Sequence, residues 1–345
     1  MGQCNNCQTC QKPDGRELTV DQQAYRTSQQ QSQTSKQRVS NLSGDNGSKN
    51  KKIKAAIQIQ AHWRGYVVRK KKLKKSIGTN DIASAPPLAN KYFSSDKDYA
   101  QQHSNSKTRE QRPPFKYKSG AIYEGEWIGN SRDGQGTQLW NDGAKFVGQW
   151  KNNMAHGKGK FYHVDGDIFE GTWIEDKACG FGIYTHANGA KYEGEWLNDL
   201  QHGFGVETWA DGSKYEGQYY QGKKHGKGKY IWNDGSFYDG DWNNNQISGN
   251  GLYQWSDGRR YEGEWLNNNM HGQGHYTWQD GRSYKGGYVN DKKHGYGVYT
   301  WADGRKYEGE WVSGKQHGKG KYILLDGQVK QGEWIEGKKI KNIQN

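Results

Sequence analysis

Aromatic residues and glycines alternate with polar residues along most of the chain beyond residue 122. The first aromatic of the pattern returns every 23 residues, with no insertion or deletion, at Tyr123, Phe146, Phe169, Tyr192, Tyr215, Tyr238, Tyr261, Tyr284 and Tyr307. In the recurring stretch "YEGEW", side chains alternate between the two faces of a strand, so the aromatics and the glycine share one face and the glutamates share the other. The period therefore predicts tandem β-strands with one aromatic face and one polar face.

A second strand completes each unit. In "GQGHYTW", the same alternation places Gly272, Gly274, Tyr276 and Trp278 on the aromatic face. Asp280-Gly281 then predicts a tight hairpin turn. Stacked hairpins of this kind predict an all-β, elongated, single-layer antiparallel sheet of about nineteen strands, on the order of 90 Å long. Such a layer has no second sheet to pack against, so we expect its core to consist of rings lying over glycines of the adjacent strand.

The repeated unit, with its "YEGEW" strand, Gly-x-Gly and Asp-Gly turn, resembles the MORN repeat family. The resemblance implies a sheet of tandem 23-residue β-hairpins over residues 115–345, with nine full repeats and partial ends, that serves as a scaffold. We expect partner proteins to contact the aromatic groove at Tyr192, Trp196, Tyr261, Trp265, Tyr276, Trp278, Tyr307 and Trp311. The pattern breaks at Ile323, Leu324 and Leu325, where the aliphatic residues predict either a cap on the sheet or a contact with a second copy.

The net charge of +13 is concentrated outside the repeats. Residues 49–75 contain eleven Lys and Arg and no acid, whereas residues 123–345 contain 27 basic and 29 acidic residues. Because no basic stripe continues onto the sheet, we do not expect nucleic acid as a partner. No apolar run is long enough to span a bilayer, and no secretory signal is evident, so we expect a cytoplasmic location.

Four segments precede the repeats. Residues 1–20 carry a lipidation-like sequence, residues 21–48 are rich in Gln and Ser and are expected to be disordered, residues 49–78 predict a basic amphipathic helix, and residues 79–114 have the composition of a linker. The helix resembles the IQ motif, a target of calmodulin and related EF-hand proteins, through Ile59, Gln60, Trp63, Arg64, Gly65, Val67 and Arg69. An anionic lipid surface and packing on the sheet are the alternatives for this helix.

The N-terminus "MGQCNNCQTC" resembles an N-myristoylation signal. Gly2 would be the acceptor, although Asn6 stands where Ser or Thr is preferred, and Cys4, Cys7 and Cys10 would be palmitoylation sites. One chain anchors only marginally, so a second chain or the basic helix would be needed. The cysteine spacing also fits part of a metal site but lacks a fourth ligand, and an unmodified tail is a further alternative. We expect no metal ion and no cofactor.

The repeated histidines and glutamates do not predict catalysis. Equivalent histidines in successive hairpins would lie about 9.6 Å apart, too far to bind one ion without further ligands. The glutamates recur on an open face, whereas an acid and base pair needs one pocket. The sequence thus predicts a non-enzymatic scaffold that is tethered to the cytoplasmic face of a membrane, responds to calmodulin and links the membrane to cytoskeletal or signalling partners. The alternatives are a structural protein of the cilium, similar to MORN-containing radial spoke head proteins, and a regulatory subunit that localises a phosphoinositide kinase.

Overall fold

A computed structural model describes residues 90–93 and 107–343, which form one helical turn and one antiparallel sheet of 21 strands. Each strand pairs with the strand that follows it in the chain, so the order in the sheet is the order in the sequence. The elements are α1 (Asn90–Phe93), β1 (Arg109–Lys116), β2 (Ile122–Ile128), β3 (Ser131–Leu139), β4 (Lys145–Lys151), β5 (Met154–Tyr162), β6 (Ile168–Ile174), β7 (Lys177–Thr185), β8 (Lys191–Leu197), β9 (Leu200–Thr208), β10 (Lys214–Tyr220), β11 (Lys223–Ile231), β12 (Phe237–Asn243), β13 (Gln246–Gln254), β14 (Arg260–Leu266), β15 (Asn269–Thr277), β16 (Ser283–Val289), β17 (Lys292–Thr300), β18 (Lys306–Val312), β19 (Lys315–Ile323), β20 (Val329–Ile335) and β21 (Lys338–Ile343).

The predicted all-β, single-layer sheet of tandem hairpins is confirmed, with two strands more than expected. β1 and β21 lack the repeat signature, but each pairs through its backbone with a repeat strand, β2 and β20 respectively. The sheet therefore begins at Arg109, inside the segment predicted as linker, and α1 also lies in that segment. The sequence pattern missed β1 because a strand at a sheet edge needs hydrogen bonds to its neighbour and not a periodic face.

Two kinds of turn connect the strands. The turn between β4 and β5 has two residues, Asn152 and Asn153, with φ values of 49° and 71°, the backbone that a type I′ hairpin requires. The Asp-Gly turn between β3 and β4 is longer. There the amide of Gly143 donates to the carbonyl of Trp140 at 3.0 Å, and Gly143 has a φ of 96°. Asn and Gly recur at these turns because they adopt positive φ at low cost.

A β-bulge in each hairpin corrects one sequence expectation. The pairing of β14 with β15 shifts between Gly263 and Trp265, and Gly272 in the bulge has a φ of 57°. A side chain on Gly272 would meet the Glu264 carboxylate, whereas one on Gly274 would meet the Tyr261 ring. The expectation that Gly272 lies on the aromatic face is therefore wrong, because the bulge turns it to the polar face.

The second glutamate of "YEGEW" stabilises this bulge. The Glu264 carboxylate accepts a hydrogen bond of 2.7 Å from the backbone amide of Gln273, and Asp241 and Gln149 make the same contact with the amides of Asn250 and Lys158. A side-chain acceptor is needed there because the bulge removes the amide from the ladder of the sheet. Seven of the nine full repeats have Glu, Gln or Asp at this position and make this contact, and Thr172 and Gly287 occupy it in the other two.

The core is the layer of rings that the period predicts. Tyr261 is fully buried, and its ring covers Gly263 on its own strand and Gly274 on the next, so the expected packing of rings on glycines is confirmed. The Tyr261 hydroxyl donates to the carbonyl of Glu264 at 2.9 Å. Trp265 donates from Nε1 to the carbonyl of Gly251 at 3.2 Å, which joins one repeat to the repeat before it. Tyr261 and Trp265 therefore satisfy their polar atoms within the sheet.

Candidate functional site

The aromatic face has two layers, and the lower layer is inaccessible. Among the side chains predicted to contact a partner, six are at most 6% exposed and belong to the core, namely Tyr192, Trp196, Tyr261, Trp265, Tyr307 and Trp311. They lie below the surface because "YEGEW" strands place both rings over the glycine columns. These six residues support the face from beneath.

The upper layer is a continuous ladder of rings, which we call the ring ladder. Neighbouring ring centroids along it are 4.4–5.8 Å apart. Its members in order are Trp209, Tyr230, Trp232, Tyr253, Trp255, Tyr276, Trp278, Tyr299, Trp301 and Tyr322. Only Tyr276 and Trp278 were among the residues predicted from sequence. The signal for most of the rest was a Tyr-x-Trp before the Asp-Gly turn at the same period of 23, although Trp209 follows Glu207 and Tyr322 precedes Leu324.

The C-terminal end of the ring ladder is the more accessible part. Trp278, Tyr299, Trp301 and Tyr322 are all half-buried. The guanidinium of Arg282 lies 5.4 Å from the Trp278 ring centroid and pairs with Asp280 at 2.7 Å. Its hydrogen bond lowers the pKa of the Asp280 carboxyl below the ordinary value. This end of the ladder therefore offers ring faces and edges beside the paired charges of Arg282 and Asp280.

At the other end of the sheet, α1 covers the aromatic face. Phe93 is only 6% exposed and its ring centroid lies 5.3–6.1 Å from those of Trp140, Phe146, Trp150, Phe161 and Trp173. Trp140 donates from Nε1 to the carbonyl of Tyr92 at 3.1 Å. The aromatic face thus accepts an aromatic side chain presented by a single helical turn.

Two histidines precede the ring ladder in its tryptophan column. His163 and His186 stand where six of the other seven full repeats have Trp and the ninth has Leu324. His186 Nδ1 lies 2.7 Å from the carboxylate of Asp167, which also accepts hydrogen bonds from the Tyr184 hydroxyl at 2.7 Å and the Ala187 amide at 2.9 Å. Burial opposes ionisation, but these donors lower the pKa of the Asp167 carboxyl below the ordinary value. Asp167, Tyr184, His186 and Ala187 are thus held together by polar contacts with one another.

Other sequence expectations are placed as follows. Ile323 ends β19, and Leu324 and Leu325 lie in the following turn, where Leu325 is 70% exposed. The cap or second-copy contact stays a prediction. The lipidation residues and the IQ helix lie outside the described residues. Within residues 90–93 and 107–343 there is no group of three metal-ligating side chains, and no helix has the length and hydropathy to span a bilayer.

Similarity to known proteins agrees with the repeats and the helix. The MORN repeat matches residues 123–145, 146–168, 169–191, 192–214, 215–237, 238–259, 261–281, 284–304 and 307–329, and the IQ calmodulin-binding motif matches residues 53–71. No curated protein sequence matches the chain.

Solved structures show only weak likeness. The TCP domain of SAS-4 (dCPAP) from Drosophila melanogaster, in complex with a proline-rich motif of Ana2, is 8% identical, with 51% of this chain and 83% of that chain covered and a TM-score of 0.26. The TCP10 domain of Danio rerio CPAP is 12% identical, with 68% and 100% covered and a TM-score of 0.24. TM-scores this low support no structural or functional inference. The nine repeat matches, in contrast, span more than half of the 345 residues, and the chain belongs to the MORN-repeat family.

Proposed function

We propose that this protein is a non-catalytic scaffold that binds protein partners on the accessible end of its ring ladder. The observation that carries the proposal is the run of half-buried rings from Trp278 to Tyr322 on one face of an open sheet. Trp and Tyr supply large contact areas with few rotatable bonds, and they dominate the binding energy of many interfaces. Phe93 packs on Trp140 and Phe161, which are equivalent to Trp278 and Tyr299, and this contact supports the proposal.

The N-terminal segments would add regulation and location. The IQ match at residues 53–71 supports binding of calmodulin or a related EF-hand protein. We further propose that acylation at Gly2, with palmitoylation at Cys4, Cys7 and Cys10, tethers the chain to the cytoplasmic face of a membrane. The scaffold would then link that membrane to cytoskeletal or signalling proteins.

The partner surface is tested by a double change, Trp278→Ala with Trp301→Ala. We expect capture of the protein partners from the native cell to fall about tenfold or more, because each truncated ring at an interface centre typically costs more than 1 kcal/mol. Quantitative mass spectrometry of captured proteins provides the measurement.

Tyr296→Ala is the matched control, because Tyr296 is an exposed aromatic on β17, the strand that also carries Tyr299. It should leave capture unchanged. If the double variant, shown to be folded by its thermal melt, captures the same proteins in the same amounts as the natural chain, the ring ladder is not the partner surface.

A further inference from the structure

One column of positions on the aromatic face contains charged side chains, and one of them has no carboxylate partner among the described residues. In each repeat, the member of this column is the residue that pairs across the hairpin with the last aromatic of the "YEGEW" strand. Met270, for example, pairs with Trp265, and Lys293 pairs with Tyr288. From the first full repeat to the ninth, the column contains Arg132, Ala155, Ala178, Gln201, Lys224, Ile247, Met270, Lys293 and Gln316. Three of these residues are cations placed inside a layer of rings.

Two of the three cations have acceptors from the chain itself. Arg132 donates to Gln138 at 2.9 Å and to the carbonyl of Asn153 at 2.7 Å. Lys224 Nζ lies 2.9 Å from the Glu207 carboxylate, and the two side chains are only 5% and 2% exposed. Tyr219, which replaces the usual Trp, donates its hydroxyl to the same carboxylate at 2.8 Å. The column therefore accommodates a lysine when a buried carboxylate neutralises it.

Lys293 occupies the same position without that carboxylate. It also faces a Tyr in place of Trp, namely Tyr288. The position equivalent to Glu207, three repeats later, is occupied by Tyr276. Lys293 Nζ lies 4.2–5.4 Å from the ring centroids of Tyr299, Trp311, Tyr284 and Trp278, and no carboxylate of residues 107–343 forms an ion pair with it.

The surroundings of Lys293 favour an incoming anion. Burial, and to a smaller extent the charge of Arg282, lowers the pKa of the Lys293 ammonium to about 7. The ring faces attract the ammonium form, but they cannot replace the hydrogen-bond acceptors that water supplies. Arg282 is itself a cation with no acceptor to offer, and the Asp280 carboxylate is already paired with it, so neither supplies an acceptor to Lys293. A carboxylate brought to this point would be paired in a partly dehydrated site, where such pairs are strong.

We propose that Lys293 is the specificity-determining contact of the partner surface and binds an aspartate or glutamate side chain of a protein partner. The partner's carboxylate pairs with the Lys293 ammonium as the Glu207 carboxylate pairs with Lys224. Apolar residues beside that carboxylate pack on Trp278, Tyr299 and Trp301. The inference rests on the proposed partner binding and adds the chemistry of the ligand, an acidic residue within an apolar segment.

The test compares two small probes of equal shape, 4-phenylbutyrate and the neutral 4-phenylbutyramide, bound to the full chain. Tryptophan fluorescence reports binding. We expect the carboxylate to bind at least about tenfold more tightly than the amide, and Lys293→Met to abolish that preference. Methionine is already present in the column at Met270, so this variant should fold. Lys292→Met, at the exposed neighbouring position, should keep the preference.

Several results would overturn the proposal. One is equal binding of the acid and the amide by the natural chain, and another is an unchanged preference in Lys293→Met. A third concerns lipid. If Lys293→Met lowers binding to phosphatidylserine vesicles tenfold, relative to phosphatidylcholine vesicles, but does not change binding of 4-phenylbutyrate, the site serves a phosphate headgroup and not a protein carboxylate.

The failure of this inference is distinguishable from that of the proposed function. If Trp278→Ala with Trp301→Ala abolishes partner capture while Lys293→Met captures the same proteins at the same level, the partner surface stands and the carboxylate contact is rejected. If the double variant captures normally, the proposed function is rejected, whatever the two probes show.

Discussion

At the scale of single residues, several polar side chains within the aromatic layer are held by particular donors or acceptors. Asp167 is one of these, because the Tyr184 hydroxyl, the Ala187 amide and the His186 imidazole contact its carboxylate in place of water. These contacts lower the pKa of the carboxyl despite its burial. An aspartate whose pKa is lower in the folded than in the unfolded state stabilises the fold above the unfolded pKa, and this stabilisation is lost as the pH falls through the folded pKa.

Asp167→Asn tests this account. We expect the variant to lower the free energy of unfolding at pH 7 by about 1–3 kcal/mol, because it removes a charged acceptor from three donors. The difference from the natural chain should shrink as the pH falls below about 4, the ordinary pKa of aspartate. Urea unfolding at both pH values measures it.

Asp165→Asn is the control, because the exposed Asp165 accepts only a turn amide and Asn188 makes the equivalent bond one repeat later. A loss of stability in Asp167→Asn that is the same at both pH values would show that the ionised carboxylate is not the cause.

At the scale of the element, each hairpin depends on two kinds of glycine. Gly274 has an ordinary backbone, but a side chain on it would collide with the Tyr261 ring. Gly281 has a φ of 88° in the Asp-Gly turn and has nothing within 4 Å of an added Cβ. The first glycine is required by packing, and the second by backbone conformation.

Alanine at each position separates the two requirements. Gly281→Ala should cost about 1 kcal/mol, because alanine tolerates positive φ poorly. Gly274→Ala should cost about 3 kcal/mol or more, because a fully buried ring must move. Thermal and urea unfolding provide the measurement. Gly281→Asn should recover part of the loss at the turn, while equal costs for the two alanine variants would contradict the distinction.

At the scale of the whole molecule, the open sheet has two edges that are protected from further pairing. β1 carries Pro113 and Pro114 where its pairing with β2 is interrupted, and proline has no amide to donate. β21 carries Lys338, Lys339 and Lys341, whose charges oppose the approach of another strand. These edges direct binding away from edge pairing and toward the faces of the sheet.

The proposed tether and EF-hand contact also belong to the whole chain, and two variants separate them in one proximity-labelling experiment. Gly2→Ala should abolish labelling of membrane proteins and leave labelling of calmodulin intact, because it removes the acyl acceptor. Ile59→Glu should do the reverse, since a charge on the apolar helix face prevents docking.

Each variant is the control for the other. Membrane labelling that survives Gly2→Ala rejects the tether and favours the ciliary structural alternative. Calmodulin labelling that survives Ile59→Glu, or is absent from the natural chain, rejects the IQ contact.

The sequence by itself determined the sheet, because the 23-residue period places the first aromatic of each repeat over glycines and most turns at Asn, Asp or Gly residues, which accept positive φ. It also indicated the IQ helix, whose spacing is a local property. The 23-residue period alone assigned Gly272 to the wrong face of the sheet. A bulge changes which face a side chain occupies without interrupting the repeat pattern in the sequence. The period also missed β1, because an edge strand is recruited by backbone hydrogen bonds.

Only the tertiary structure decided which rings are core and which are surface. Tyr261 and Tyr299 both face the aromatic side, yet Tyr261 lies fully buried on the glycines and Tyr299 lies half-buried in the ring ladder above. The same holds for the two lysines, because Glu207 reaches Lys224 from another strand and no carboxylate within residues 107–343 reaches Lys293 in this way. Contacts between strands depend on depth and distance within the stacked layer, which a one-dimensional period does not contain.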